Sequence, residues 1–377
     1  MTAAFSSRNS LYGPIALRDE PWWQIGRRAA QRGDVGPDGS VYDAEIQLEL
    51  LLLLHDSGAG EHLEKPVIDR PTREVQQLFF NAQEWAPVIG QYELHGRQIF
   101  DMSSGLVEML QETDVRQCTL QNLQLPYPAF YMHFGRQAEL KVVGAGGDTE
   151  YIDGVLVAHA QGDGIQILRF ATTSIDESGR RVTLPGHFLS LGDGELQLPV
   201  HDAMDAAVKS FAAEAGASPG EFPSAEAFWI CLRQRAADAL KVALPLIVNG
   251  LFYLENPPRP PRKVPGAGTP DGLVARWERT PANRRRKLNS KLSAEGYTLV
   301  HLVGEEIVHS STQGGGGTVA PHWRRGHWRE QAYGQRLSLR KRILIRPTLV
   351  NGHNLADPLK VKGHVYKLPE PGPSPQP

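Results

Sequence analysis

The sequence is poor in cysteine, with only Cys118 and Cys231 among 377 residues. Two thiols so far apart form neither a disulfide framework nor a cysteine-rich zinc site, although a single bridge between them stays open. The first residues also lack the basic head, apolar middle and small-residue cleavage site of a secretion signal. These absences predict a protein that works in a reducing, cytoplasmic environment.

Long hydrophobic runs are missing as well. The longest run near the N-terminus, Leu50–Leu54, is far shorter than the roughly 20 apolar residues that span a bilayer. The apolar stretch at residues 239–254 is interrupted by Lys241, Pro245 and Asn249. We therefore expect no membrane-spanning helix.

Motifs for metal and cofactor binding are scarce. A metal site could be assembled from His301 and His309 with His322 or His353, but no H-E-x-x-H or comparable close pair occurs and carboxylates are few in this part of the chain. The glycine run at 314–317 lacks the Gly-Lys-Ser/Thr ending of a phosphate-binding loop. The sequence thus predicts no metal and no cofactor.

Acidic residues are scarce in the C-terminal part, although the formal net charge of the whole chain is only −2. Residues 257–377 contain 21 Lys and Arg against 8 Asp and Glu, a net charge of +13, which leaves −15 for residues 1–256. A basic segment of this kind binds polyanions such as nucleic acid, or it docks on an acidic surface, here the chain's own N-terminal part. Composition alone leaves both interpretations open.

The N-terminal third has the hydrophobic periodicity of helices. Apolar side chains in residues 69–91 recur at three- and four-residue spacing, as in a core helix. A further short helix is expected after a cap at Ser103 or Ser104, with Val107 and Leu110 facing inward.

From Leu120 onwards the pattern changes to strands. Short apolar runs alternate with glycine-rich turns, which is typical of an antiparallel sheet. The clearest hairpin signal is Gln-Gly-Asp-Gly at 161–164, because Asp-Gly tolerates the positive φ of a tight turn. Two helices are predicted to follow, at 202–216 and at 224–244, the second capped by Ser224 and bent or ended by Pro245.

A segment rich in proline and glycine at 255–272 has the composition of an exposed linker, and the charge division falls there too. We predict an α+β protein with N-terminal helices, a central mainly antiparallel sheet and a basic C-terminal α/β unit packed on that sheet. The predicted divisions are a helical N-terminal region at 1–115, an antiparallel sheet with helices at 116–256, the basic unit at 257–368 and a disordered tail at 369–377.

The most informative stretch is PHWRRGHWREQAYG at residues 321–334, where two His-Trp pairs lie among three arginines. As a β-strand, it would alternate two sets of side chains. One face would present His322, Arg324, Gly326 and Trp328, and the other Trp323, Arg325, His327 and Arg329. Each face then has an indole on which an unpaired base stacks and a guanidinium group that holds phosphate, as in proteins that bind single-stranded nucleic acid.

Other interpretations of these basic stretches stay open. A Trp in a short strand is more often a core residue than a stacking platform, and an arginine-rich strand is often a solvated edge. His322 and His327 could act as acid and base in metal-independent cleavage of RNA, although strand alternation puts them on opposite faces. The run NRRRKLNSK at 283–291 could contact a phosphate backbone or simply form a solvated helix face.

A second stretch, LPYPAFYMHF at 125–134, forms a longer pattern with the C-terminal one. The pattern consists of a Leu-Pro-x-Pro strand entry, a His-x-Arg-Arg-Gly-His-Trp-Arg motif at 322–329, a Tyr-Gly at 333–334 and a basic-apolar strand that ends at Ile343–Pro347. With these residues the chain resembles a family spread among phages and other mobile elements of bacteria, which includes a type V-A anti-CRISPR protein. The long acidic N-terminal part and the proline-rich tail depart from the pattern.

The resemblance implies a regulatory protein in the cytoplasm of a bacterial host cell. It implies that the protein lowers expression of a CRISPR effector nuclease by recognising the nascent polypeptide, with loss of the mRNA and with mRNA or the ribosome as further partners. Together with the motif chemistry, it assigns peptide or nucleic-acid binding to His322, Arg324, Arg325, His327, Trp328, Arg329, Tyr333 and Arg342. The alternatives are a metal-independent RNase of the toxin kind and a non-catalytic scaffolding protein.

Overall fold

A computed structural model describes residues 11–36, 85–143, 148–162, 165–183, 186–203, 205–207, 223–266, 269–295, 297–305, 307, 322–324, 326–346 and 348–350. The strands are β1 Ile99–Met102, β2 Thr113–Asp114, β3 Ala129–His133, β4 Lys141–Val143, β5 Thr149–Gly162, β6 Ile165–Asp176, β7 Phe188–Leu191, β8 Arg262–Pro265, β9 Leu299–Val303, β10 His322–Arg324, β11 Gly326–Tyr333, β12 Leu339–Ile345 and β13 Thr348–Val350. The helices are Gly13–Ala16, Pro21–Arg32, 85–94, Ser104–Gln111, Asp193–Gln197, Pro223–Glu255, Asp271–Arg279 and Arg285–Ala294, with 3-10 turns at Ala138–Leu140, Ala282–Arg284 and Gln335–Leu337, and residues 200–203 and 205–207 are helical as well. None of the described helices is long and apolar enough to cross a membrane.

The centre of the fold is an eight-stranded mixed sheet with the order β7-β6-β5-β3-β1-β9-β8, in which β4 also pairs with β5. In this sheet β1 pairs in parallel with β3 and with β9, whereas the other pairs are antiparallel. The predicted α+β class and the mainly antiparallel sheet are confirmed. The predicted hairpin is confirmed too, since Gly162 pairs with Ile165 across its turn.

The pleat of the sheet divides its apolar side chains between two buried layers. On one face, Ile99 and Tyr131 pack against aromatic residues of the N-terminal helices, among them Trp22, Trp23 and Trp85. On the other face, side chains from β1, β3, β5 and β6 pack against Ser104–Gln111 and against Pro223–Glu255, which we call the long helix. Each large apolar side chain buried in this way contributes about 1.5–3 kcal/mol.

Two helix predictions have different outcomes. The Ser103 cap is confirmed, because its hydroxyl accepts the backbone N–H of Leu106 at 3.3 Å, and Val107 and Leu110 are buried. The second helix was predicted to be bent or ended by Pro245, and the long helix continues through Pro245 to Glu255, so the proline does not end it. A proline inside a helix costs about 3 kcal/mol or more. Burial of the apolar side chains on both sides of Pro245 offsets that cost.

Two short segments also differ from the prediction. Within the region from Leu120 that was predicted as strands, residues 193–197 form the helix Asp193–Gln197, whose Glu195 carboxylate accepts the backbone N–H of Gly192 at 3.0 Å and so caps it. Within the predicted linker, β8 pairs with β9 as an edge strand, where a terminal proline is tolerated. Residues 69–84, the glycine run at 314–317 and the tail at 369–377 lie outside the described residues.

The C-terminal part of the chain contributes to two sheets. Its β9 lies inside the central sheet, between β1 and β8. Strands β11 and β12 form an antiparallel pair, which we call the ribbon, and β11 also pairs in parallel with β2. His327 pairs with Ile345 and Trp323 with Leu349, so β10 and β13 continue the ribbon in the same register.

Candidate functional site: the C-terminal ribbon

The ribbon is fastened to the long helix by Trp328. Its indole N–H donates to the side-chain oxygen of Asn249 at 2.7 Å, and its ring lies edge-on to Phe252 at 5.4 Å. The amide nitrogen of Asn249 donates to the carbonyl oxygens of Leu110 and Thr113, at 2.9 and 2.8 Å. One buried amide therefore joins the long helix to the ribbon and to the segment that leads into β2.

Arg342 makes a second attachment between ribbon and long helix. Its guanidinium group is 2.7 Å from the carboxylate of Glu255 and lies over the Phe252 ring at 3.9 Å. Only 10% of the Arg342 side chain is exposed, and a further carboxylate, that of Glu330, is 3.9 Å away. The charge of Arg342 is thus paired with carboxylates of the protein itself. Its geometry supports a role in positioning the ribbon rather than in contacting a ligand.

The strand alternation predicted for the motif is confirmed for residues 326–329. Gly326 is buried and Trp328 is partly buried against the core, whereas His327 and Arg329 are exposed. The pairing of β11 with β12 puts eight side chains on the side turned away from the long helix, which we call the outer face. They are His327, Arg329, Gln331, Tyr333, Leu339, Lys341, Ile343 and Ile345.

The outer face combines exposed apolar groups with cations. Tyr333 is 46% exposed, Leu339 51% and Ile345 36%, which places them among the exposed large hydrophobic side chains of the described residues. Arg329 and Lys341 are exposed on the same face. Such a face can pack against apolar side chains of a binding partner and attract the partner's carboxylates at the same time.

The remaining predicted binding residues are His322, Arg324 and Arg325. His322 and Arg324 belong to β10, where their backbones pair with Val350 and Thr348. Their side chains and the whole of Arg325 lie outside the description. The acid-base role considered for His322 and His327 and the binding roles of the motif therefore stay predictions.

His301, considered above for metal binding, has a different environment. It is buried in β9, its Nε2 is 2.8 Å from the amide oxygen of Gln98, and its ring packs on Phe100 at 4.5 Å. Burial and the nearby Lys263 lower its pKa to about 3, so the ring is neutral at physiological pH. His309 and His353 lie outside the described residues.

Sequence reasoning missed a buried polar network that joins the end of β3 to the interior of β5. The Asp153 carboxylate accepts from Arg181 at 2.6 Å and from the Thr173 hydroxyl at 2.9 Å. Arg181 also donates to the carbonyl oxygen of Leu11 at 2.7 Å, and the ring nitrogen of His133 is 3.6 Å from Asp153. The one available signal was an aspartate inside an otherwise apolar strand, YIDGVLVAHA.

The same network holds the N-terminal segment on the sheet. The Tyr12 hydroxyl donates to the Asp101 carboxylate at 2.9 Å, and its ring lies edge-on to His133 at 5.2 Å. Burial raises the pKa of Tyr12, and Asp101 raises it further. Burial also lowers the pKa of His133, although Asp153 and Asp101 oppose that shift. These contacts attach the segment at Leu11 and Tyr12 to the central sheet.

Most of the described fold matches a known protein family. The model that describes AcrVA2-like proteins, the anti-CRISPR type V subtype A2 family, matches residues 100–352. These residues run from β1 to just beyond β13 and include the long helix and the ribbon. The fold and the ribbon are thus those of an anti-CRISPR protein. The chain belongs to the AcrVA2-like family, because the match covers well over half of its length.

The crystal structure of AcrVA2 is similar over 89% of this chain and 95% of its own, with 14% sequence identity and a TM-score of 0.43. A search of curated proteins gives no match. The resemblance found in the sequence is confirmed by the family match.

Proposed function

We propose that the protein lowers the synthesis of a CRISPR effector nuclease by binding the nascent polypeptide of that nuclease on the outer face of the ribbon. Membership of an anti-CRISPR family supports an effector nuclease as the affected protein. The exposed mixture of apolar and cationic side chains on the outer face supports a peptide as the ligand. This mixture is the observation on which the proposal depends.

The strand arrangement suits an extended peptide. Among the described strands, β12 pairs with β11 on one side and with none on the other. A nascent chain can add itself to such an edge through main-chain hydrogen bonds, while its alternate side chains contact the strand's own. Leu339, Ile343 and Ile345 would then contact apolar side chains of the peptide, and Lys341 would attract its carboxylates.

The contacts between the ribbon and the long helix also favour peptide binding. Trp328 and Arg342 hold the ribbon in one position against the long helix. A surface that is already ordered loses less conformational entropy when a flexible peptide binds. The buried side of the ribbon would thus raise the affinity of the exposed side without contacting the ligand.

A reporter assay in bacterial cells tests the proposal. The N-terminal segment of a type V-A effector nuclease is fused to a fluorescent protein and expressed together with the full-length protein, and fluorescence and reporter mRNA are measured. The substitution pair L339Q/I345Q removes apolar groups from the outer face, and V143Q/V242Q removes two other exposed valines as a matched control.

We expect the outer-face pair to lose repression and the control pair to keep it, with unchanged melting temperatures for both. Full repression by L339Q/I345Q would contradict the proposal. A loss that accompanies unfolding would be recognised from the melting temperature, and R329Q/K341Q then gives an independent test because both side chains are exposed and polar.

A further inference from the structure

A pair of helices beside the edge of the central sheet forms a second basic surface. The helices Asp271–Arg279 and Arg285–Ala294 share a small apolar core with β9. This core consists of Trp277, Leu288, Leu292 and Leu299. The two helices are therefore held in a fixed position against the sheet.

One arginine of the run at 284–286 is used to build the turn between the helices. The Arg285 guanidinium group lies over the Trp277 ring at 3.8 Å and donates to the carbonyl oxygens of Thr280 and Glu278, at 2.7 and 3.2 Å. The Trp277 indole N–H in turn donates to Asn289 at 2.8 Å. Arg285 is thus a structural residue, and it orders the turn that carries its neighbours.

Arg286 and Lys287 lie on the side of the helix away from the buried Leu288 and Leu292, and Arg284 and Lys291 flank them in the preceding turn and further along the helix. We call this surface the basic helix face; it consists of Arg284, Arg286, Lys287 and Lys291, all of them exposed. In the described residues, the ion pair of this face joins Lys291 to Glu295 at 3.5 Å. Arg276 and Arg279 on the preceding helix are exposed as well.

The basic helix face differs from the outer face of the ribbon in having no apolar part. None of the exposed large hydrophobic side chains in the described residues lies between 271 and 294. Stable protein interfaces bury an apolar centre inside a polar rim. Contacts with a nucleic-acid backbone need only cations and hydrogen-bond donors in a fixed arrangement. The chemistry of this surface therefore favours phosphodiesters over a protein partner.

We propose that the basic helix face binds the phosphate backbone of a nucleic acid, without sequence preference and separately from the ribbon. Its cations are held on an ordered helix, so several of them can contact successive phosphates of one strand. This inference does not depend on peptide binding by the outer face. It gives the protein a second contact, to a polyanion.

Fluorescence anisotropy with the full-length protein tests the inference. A labelled oligouridine and an oligothymidine of equal length are titrated at several salt concentrations, and the two probes distinguish RNA from single-stranded DNA. The test variant is R284Q/R286Q/K287Q. The control variant R136Q/K141Q/R180Q removes the same charge from exposed positions elsewhere, and glutamine preserves helix propensity in the test variant.

We expect binding to weaken as salt rises, because bound cations release counterions from the phosphates. The test variant should reduce the slope of log K against log salt by about 2, at about 0.7 for each lost phosphate contact, and the control should leave the slope unchanged. An unchanged slope in the test variant, or equal losses in both variants, would overturn the inference.

A polyglutamate probe completes the experiment. If polyglutamate is bound by the natural protein and not by R284Q/R286Q/K287Q while neither nucleic acid binds, the face is a protein contact and the inference is wrong. Repression in the reporter assay is measured for the same variants. Loss of nucleic-acid binding in R284Q/R286Q/K287Q with repression intact would separate the two surfaces and leave the function of the ribbon unaffected.

Discussion

Trp328 and Asn249 are joined by a 2.7 Å hydrogen bond in which the indole N–H donates to the side-chain oxygen of the asparagine. Asn249 is 1% exposed, and its amide nitrogen donates to two main-chain carbonyl oxygens. Without this amide, the Trp328 indole N–H would lose its partner, and the carbonyl oxygens of Leu110 and Thr113 would each lose one donor inside the protein. The position of the ribbon thus depends on one polar side chain of an otherwise apolar helix segment.

Asn249→Leu should destabilise the protein by about 1–3 kcal/mol or more, because the Trp328 indole N–H is left buried without a partner and two carbonyl oxygens each lose a donor. Trp328→Phe removes only the indole donor and should cost less. The two changes combined should be less costly than the sum of the single costs, since they share one hydrogen bond. Urea denaturation of the two single variants and the double variant measures this coupling, and strictly additive costs would contradict the shared hydrogen bond.

Arginine-to-lysine changes should separate the two sides of the ribbon. Arg342→Lys loses the guanidinium hydrogen bond to Glu255 and the stacking on Phe252, so we expect a loss of about 1–3 kcal/mol in stability. Arg329 is exposed, so Arg329→Lys should change the free energy of unfolding by less than about 0.5 kcal/mol. Its effect should instead be weaker repression. Melting temperature and reporter repression are measured for both, and full repression by Arg329→Lys would remove that side chain from the proposed site.

Gly154→Ala should be strongly destabilising. A Cβ at this position in β5 would collide with the Tyr131 hydroxyl and the Met132 carbonyl oxygen, and such overpacking costs about 1–3 kcal/mol. Gly194 is the matched control, because a Cβ there meets nothing within 4 Å. Gly194→Ala lies in a helix and should stabilise by about 0.4–1 kcal/mol. Thermal unfolding of the two variants should shift in opposite directions, and equal shifts would contradict the packing at β5.

Stability should rise with pH between about 4 and 6.5 because of His187. Burial lowers its pKa to about 4 in the folded protein, whereas an unfolded histidine titrates near 6.5. The unfolded chain therefore binds the proton more readily, and acid favours unfolding by up to about 3 kcal/mol across this range. Burial and Lys263 lower the pKa of His301 in the same direction.

Urea denaturation at pH 7 and pH 5 measures this dependence. The variant His187→Leu removes the titrating group while keeping an apolar side chain of similar size. It should lose less stability than the natural protein between the two pH values. An identical loss in both proteins would show that His187 does not contribute.

Local signals in the sequence predicted the parts of this fold that depend on neighbouring residues. The Ser103 cap and the hairpin between β5 and β6 each require only a few consecutive residues. Strand alternation grouped Trp328 with Gly326 on one face but left open whether that face is buried, and Asn249 was noted only as an interruption of an apolar run. Their contact could not be predicted, because it joins residues 79 positions apart whose approach depends on the whole sheet.

The parallel pairs of the central sheet could not be predicted for the same reason. β1 was not predicted as a strand, since four residues carry too little periodicity, and β9 was assigned to a separate basic unit. Their parallel pairing depends on a connection that no local pattern records. For the outer face, the sequence supplied His327, Arg329 and Tyr333, and the alternation that puts His327 and Arg329 on one side. The exposure of Leu339 and Ile345 required the structure.

The place of β9 in the sheet has a consequence for how the chain is made. Ile99 pairs with Val300, so more than half of the chain separates two adjacent strands. During synthesis, β1 remains at an open edge of the sheet until β9 leaves the ribosome. Contacts of such high sequence separation slow folding, because their loops must close before the pairing stabilises them. A chain released early, before residue 299, would lack this strand and expose the parallel edge of β1 to other chains.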